Sequence, residues 1–427
     1  MITMKHIRNI LTCIFLISTL KTVGQTTKQI TFTNPITMER KDELVVLSRG
    51  MLEQKLGKIA AGKFIQLKGK NGRPLVVQLD DLNNDTKWDE AVFLYSFKPK
   101  EKLALTLSVT DHPAAVKTVV RAHVRLRKKN ADDSFGPQVT NEVMPVKNQP
   151  TDFAKQPLPL YLTEGPAWEN DKVAFRQYLD TRNGRDIFGK RVTHMVMDSV
   201  GVNVSPSYHN LANWGMDVLK VGKSLGAGAI ALQTKINGTD TLIRLGGEDI
   251  TNTVYEQVSD GPVRAIFRIK YDWKINGRII KITDETNIWG GQYFYESKIS
   301  IVGAPEGSKL VSGIVNLHEN VSKHFEINNA AVLYSHGPQS ENNDELGMAI
   351  VVKNSGFAGF GATPNEASEV LNTYTVAQKI QTDKPLVYRF YAGWVLTDPG
   401  FSDALFFEEH LKKETRKMQV PVTVFIR

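Results

Sequence analysis

At 427 residues, with 53 Lys+Arg against 45 Asp+Glu and a formal net charge of +8, the chain is long enough to need two cores rather than one. Its single cysteine, Cys13, lies in an apolar N-terminal stretch, which excludes disulfides, thiolate metal sites and cysteine nucleophiles from everything that follows. Short basic clusters such as Arg121, Arg125, Arg127, Lys128 and Lys129 lack interleaved aromatics, so nucleic acid is a poor partner; a polyanionic glycan suits the mild positive charge, and solvated strand faces explain the same charges more cheaply.

In chain order, Lys5 and Arg8 precede an apolar run at 10–20 and small residues near Gly24. This pattern predicts a signal peptide over 1–24, with cleavage before Gln25. The run is shorter than the ~20 residues a spanning helix needs, so the expectation is an exported protein, periplasmic or secreted, with no membrane span.

Residues 25–130 read as a small β-sandwich and residues 131–427 as a large antiparallel two-sheet domain, supersandwich-like, in a mostly β chain. Alternation at 118–127 and β-branched or aromatic content at 263–273 and 293–302 mark strands. The pairs Asn71-Gly72, Asn237-Gly238, Asp260-Gly261 and Asn276-Gly277 mark hairpin turns between them. Helices are expected only at 171–179 and 404–418.

The string DLNNDTKWDE at 81–90 places oxygen side chains from Asp81, Asn83, Asp85 and Asp89 at positions 1, 3, 5 and 9 of a calcium-type loop. Thr86 stands where glycine is preferred and Phe93 where a bidentate Glu belongs, so a polar turn between strands at 75–79 and 91–95 accounts equally well for the string. Any calcium there would be structural.

The stretch 164–223 is the most polar and unusual of the chain. Charged, aromatic and glycine residues this dense line clefts for polar ligands. Trp168 and Trp214 are either sugar-stacking platforms or core. His209, between Tyr208 and Asn210, sits where an imidazole can titrate near neutral pH. His194, among Val192, Met195 and Val196, reads as a strand residue, and Asn316, His318 and Glu319 are further pocket candidates. No phosphate loop, dinucleotide fingerprint or paired-histidine zinc motif is present.

Three strings in this stretch, EGPAWENDKVAFR at 164–176, RNGRDIFGK at 182–190 and MDVLKVGKSLGAG at 216–228, resemble a Bacteroidota domain family of polysaccharide-utilisation systems catalogued without a function. The likeness runs from about Asp42 to the C-terminus and includes the loop 81–90. One member is described as an oligosaccharide dehydratase of ulvan degradation. The resemblance therefore implies removal of water from a non-reducing-end uronic acid linked to sulfated rhamnose, leaving a 4,5-unsaturated sugar.

Such an elimination requires a cation against the uronate carboxylate, a base for the C5 proton and an acid for the leaving hydroxyl. Arg176 or Arg182 fits the first role, and His209 with Tyr208 the other two. Lys220 or Lys223 is a substitute for either proton-transfer role, while Trp168 and Trp214 would hold the remaining sugar. No redox cofactor is needed. A polysaccharide lyase would use the same groups, and a glycan-binding protein would use the same architecture without them.

Overall fold

The computed structural model describes residues 27–318, 321–366 and 368–427. The expected signal peptide, Cys13 and Glu319 lie outside the described residues.

Local turn chemistry sets the sheets. Asn237 (φ 50°) and Gly238 (φ 85°) fold strand Ala227–Ile236 onto Thr239–Arg244, and Asn276 (φ 47°) with Gly277 (φ 74°) folds Arg264–Ile275 onto Arg278–Trp289. In both turns the two central residues occupy the left-handed region, as a two-residue hairpin of this hand requires. Asp260-Gly261 behaves differently: Asp260 pairs with Ala265, so four residues bridge the strands rather than two.

The resulting fold is mostly β. A nine-stranded antiparallel sheet runs in the order Asn141–Val143, Ile250–Asp260, Arg264–Ile275, Arg278–Trp289, Phe294–Val302, Leu386–Trp394, Leu346–Lys353, Ala330–Gly337 and Lys323–Ile327. Two five-stranded sheets share its core. One is ordered Gly215–Asp217, Arg185–Lys190, Val173–Gln177, Ala167–Asn170, Ala122–Arg125, and the other Thr239–Arg244, Ala227–Ile236, Lys309–Val315, Thr373–Lys379, Phe357–Ala362. A parallel bridge between Arg185 and Gly226 joins them. Trp168, Phe175, Phe267, Tyr295 and Phe390 pack at the centre, where ring pairs such as Trp168–Phe175 (5.8 Å) and Tyr295–Phe390 (5.7 Å) stack. Aromatic contacts of this kind add to what burial alone contributes.

A second, smaller sandwich pairs Phe64–Lys68, Lys102–Thr110, Thr27–Thr33 and Thr423–Ile426 in one sheet, and Arg40–Ser48, Glu90–Phe97 and Gln78–Asp80 in the other. Its core holds Ile30, Phe32, Leu47, Phe93 and Leu107. The sheets thus divide the chain differently from the 25–130 and 131–427 split. Ala122–Arg125 already belongs to the large sandwich through pairing with Ala167–Asn170, and the last strand returns to the small one.

Residues 171–179, expected as a helix, contain the strand Val173–Gln177. All five of its residues are buried, so it shows no solvent face to give a period-two pattern. His194 lies exposed in a loop, not in a strand. The helix at the C-terminal end is Ala404–Gln419, capped by Asp403, whose carboxylate accepts the Leu405 N–H. Phe407 and Leu411 seat it on the outer face of the nine-stranded sheet with Trp289, Tyr334 and Tyr391. No helix among the described residues is long and apolar enough to cross a membrane.

Candidate functional site

Alternation along the first five-stranded sheet decides which side chains meet. Phe175, Gln177, Arg185 and Ile187 point into the core, so Arg176 and Asp186, directly opposite each other in the register, share the outer face. One row over, Phe188 stands opposite Asp217. The chain between 191 and 214 folds back over this face, packing Val196, Met197 and Val200 onto Ala167, Ala174 and Phe188. Its inner end is fixed by Glu169, which accepts the N–H groups of Val196 (2.8 Å) and Met197 (2.7 Å), and by Arg125, which donates to the Met197 carbonyl (2.9 Å). Its outer end carries Tyr208 and His209.

Arg176 is the hub. Its Nε and Nη2 donate to Asp186 Oδ2 (3.1 and 2.7 Å), Nη2 also to Asp217 Oδ2 (3.0 Å) and Tyr178 OH (2.8 Å), and Nη1 to Tyr208 OH (3.0 Å) and Glu164 Oε2 (3.4 Å). Three carboxylates therefore surround one buried guanidinium. Glu164 reaches it from a backbone at φ 65°, next to Thr163 at φ 50°. Left-handed conformations in two successive non-glycine residues store strain, which concentrates at functional positions. Arg182 lies 3.9 Å from the centroid of the Tyr178 ring and bonds Glu164 Oε1 (2.6 Å) and Asp180, with a third of its side chain exposed.

Electrostatics separates the protonation states. Burial, and then the charge of Asp186, push the Asp217 carboxyl well above the ordinary carboxylate range despite Arg176. Burial, and then Arg176, pull the His209 imidazole below its usual value. Burial raises the Tyr208 hydroxyl, against the pull of Arg176. His209 Nδ1 stands 3.5 Å from Asp217 Oδ2 with 59% of its side chain exposed, and its ring lies against Tyr208 at 4.5 Å. The arrangement thus sets an imidazole whose charged form is disfavoured within 3.5 Å of a buried carboxyl and against a phenol. A pocket of about 270 Å³ opens next to both rings, walled by Phe153, Pro157, Leu158 and Val204.

The structure therefore brings Arg176, Arg182, Tyr208 and His209 together and disperses the rest. Trp168 is fully buried against Phe175, Phe267 and Tyr295, so it cannot be a sugar platform. Its place on the inward row of Ala167–Asn170 explains why. Trp214 is half-buried against Phe188. Lys220 and Lys223 are exposed on the loop after Gly215–Asp217. Arg176 is not available to a substrate carboxylate, because its donors are already taken by Asp186, Asp217, Glu164, Tyr178 and Tyr208. Asp186, Asp217, Glu164 and Tyr178 were not among the expected site residues. The available signal was the charged pair Arg185-Asp186 directly before the apolar Ile187-Phe188 in the strand Arg185–Lys190.

In the loop 81–90, Asp81 accepts the N–H groups of Asn83 (3.3 Å), Asp85 (3.2 Å) and Thr86 (2.7 Å), and Asp89 accepts that of Leu82 (2.8 Å). Thr86 adopts φ 69° at the position where a calcium loop prefers glycine. The oxygen donors of Asp81, Asn83, Asp85 and Asp89 suit calcium in type. Among the described residues, however, no group of three or more His, Cys, Asp or Glu side chains has metal-holding geometry.

A family profile described as "Domain of unknown function (DUF4861)" matches residues 32–424. The "Uncharacterized protein P7" of Formosa agariphila is 24% identical over 285 residues, which is 62% of this chain and 68% of that protein. Among solved structures, similarity extends to an alpha-mannosidase from Enterococcus faecalis V583, at 10% identity and a TM-score of 0.48 over 94% of this chain and 46% of that one. It extends also to a protein in the glycosyl hydrolase family 38 from Enterococcus faecalis, at 10% identity and a TM-score of 0.51 over 94% of this chain and 47% of that one. At such identity the latter match reports a shared fold, and the chain spans about half the length of these solved structures.

Proposed function

We propose, for a chain that belongs to the family described as Domain of unknown function (DUF4861), that the Arg176 cluster is the active site of a carbohydrate dehydratase. Its substrate is an acidic oligosaccharide such as those of ulvan, and the reaction removes water from the non-reducing-end uronic acid. The observation that carries this reading is the placing of His209 against Tyr208, 4.5 Å between ring centroids, at the mouth of one pocket, with the imidazole shifted toward its neutral form. Base and acid in opposite states are what a β-elimination requires.

In the proposed reaction His209 takes the C5 proton and the C4=C5 double bond forms. The C4–O bond breaks, and the departing hydroxide takes the Tyr208 proton to leave as water. Solvent then carries the proton from His209 back to Tyr208. Asp217 orients His209 through Nδ1, and Arg176 holds Tyr208, Asp186 and Asp217 in place. Arg176 is a positioning residue in this scheme, and the role of countering the uronate carboxylate passes to the partly exposed Arg182, whose Nε and Nη2 are held by Asp180 and Glu164 and whose Nη1 is left to make the contact. The fold shared with glycoside hydrolases supports a carbohydrate substrate, and the resemblance at 164–228 supports the elimination.

The test is mass spectrometry of defined ulvan oligosaccharides bearing a saturated uronic acid at the non-reducing end, with ultraviolet absorbance followed in parallel. Loss of one water with new absorbance and no fragmentation is expected. Two sugar fragments whose masses sum to that of the substrate would assign a lyase instead, two fragments with one water added a glycoside hydrolase, and unchanged mass across several acidic glycans would overturn the enzymatic reading.

A further inference from the structure

A separate cavity of about 560 Å³ lies between the small sandwich, the rim of the large one and the helix Ala404–Gln419. It shares no lining residue with the pocket beside His209. Some of its charges are already paired: Asp42 with Arg121 (2.7 Å) and Glu414 with Lys417 (2.7 Å). Lys41, Lys172 and Lys413 form no ion pair among the described residues. Lys172 instead lies 5.6 Å from the centroid of the Tyr293 ring. These three ammonium groups face two remaining carboxylates, Glu39 and Asp398, and Asp398 is engaged by Tyr293 OH (2.9 Å) and the Gly400 N–H (3.0 Å).

The cavity wall is aromatic. Tyr293 stands edge-on to Phe401 (4.8 Å), and Phe406 is 45% exposed. His410 completes it, ringed by Tyr293, Phe401 and Tyr391. Its Nε2 is buried without a hydrogen-bond partner, an orphan of the kind that needs an explanation in a folded protein. Burial pulls the imidazole below its ordinary value and so favours the neutral ring, in which one nitrogen donates and the other accepts.

Unpaired ammonium groups, aromatic faces and an unpartnered buried ring nitrogen together match one class of ligand. We propose that this cavity is a second glycan site that binds an acidic sugar unit. The carboxylate or sulfate sits among Lys41, Lys172 and Lys413, the C–H face of the ring lies on Tyr293 and Phe406, and a hydroxyl, able to donate or accept, hydrogen-bonds His410 Nε2. A site here would anchor a long acidic chain away from the reacting end.

The test is titration calorimetry on the full chain carrying His209→Gln, which keeps the ligand intact during the measurement. The probes are a uronate oligosaccharide, its carboxyl-reduced neutral counterpart and inorganic sulfate. The uronate is expected to bind at this cavity with salt-sensitive affinity. The pair Lys172→Gln and Lys413→Gln, both at partly or fully exposed positions, should weaken that component at least tenfold while leaving the unfolding midpoint unchanged. The neutral sugar should lack the component. Uronate binding unaltered by the lysine pair overturns the proposal, as does sulfate alone binding as tightly as the oligosaccharide. The readout involves no turnover, so failure of the dehydratase reading leaves it intact. A short substrate turned over normally by the lysine variant would separate the two sites.

Discussion

Replacing Arg185 with methionine probes the polar joint buried between the sheets, on the core side of the strand that presents Asp186. The guanidinium is 1% exposed and donates to Gln177 (3.0 Å), Ser297 (2.8 Å), Tyr388 (2.9 Å), Thr286 (3.1 Å) and Asp284 (2.5 Å). It lies 5.5 Å from the Trp168 ring and 5.0 Å from that of Tyr295. Methionine keeps the length and packs well against rings, so the lost volume is small and the main cost falls on Asp284, left buried with no cation. Removing one partner of such a pair costs about 3–5 kcal/mol.

The pH dependence follows from the sign of the shift. Burial already raises the Asp284 carboxyl, with Arg185 pulling it down. Without Arg185 its folded value moves further above the unfolded one of about 3.9. A group raised in the folded state costs stability as pH rises above the unfolded value. The destabilisation is therefore modest near pH 4 and grows toward pH 8. Urea unfolding followed by tryptophan fluorescence at both pH values reads it directly, and adding Asp284→Asn should recover part of the loss. A cost below about 1 kcal/mol at pH 8, or an equal cost at both, would refute the reasoning.

His209→Gln should lower turnover by roughly 10²-fold or more, the usual worth of a positioned base, with no change in unfolding midpoint because the side chain is largely exposed. The acid limb of kcat/KM should fall below the ordinary imidazole range of about 6.5, since burial and Arg176 hold His209 deprotonated; a limb above that value contradicts the assignment. Asp217 is raised in the folded state, so wild type loses its contribution as pH increases. Asp217→Asn should consequently gain stability relative to wild type between pH 4 and 8, seen as a widening difference in melting temperature. If the loop 81–90 takes calcium as its donor set suggests, millimolar calcium should raise the melting temperature by mass action, and Asp81→Ala should abolish that rise.

Legibility in the sequence tracked how local each determinant was. The turns at Asn237-Gly238 and Asn276-Gly277 were readable because two adjacent residues carry the whole geometric requirement. The helix Ala404–Gln419 showed, over 404–418, through its Glu and Lys spacing. Val173–Gln177 was misread because Arg176 and Gln177 are buried on opposite faces, so neither burial nor polarity alternates along it. The site was half legible. Tyr208, His209, Arg176 and Arg182 advertise themselves by type and crowding, whereas the roles of Glu164, Asp186 and Asp217 depend on cross-strand register and a folded-back loop. The same register put Trp168 on the inner row, which its sequence neighbours Glu169 and Asn170 concealed.

The pairing of Thr27–Thr33 with Thr423–Ile426, which matches Ile30 to Ile426 and Thr33 to Thr423, fixes an order of events during synthesis. Thr27–Thr33 has one neighbour, Lys102–Thr110, early on, and must wait for most of the chain that follows it before its other edge is covered. Closing so long a separation is entropically costly and slow. Until then the edge is a free template for pairing with another chain. A nascent or truncated chain ending near residue 420 would thus carry a completed large sandwich beside an open-edged small one, and aggregation of such fragments would begin at residues 27–33.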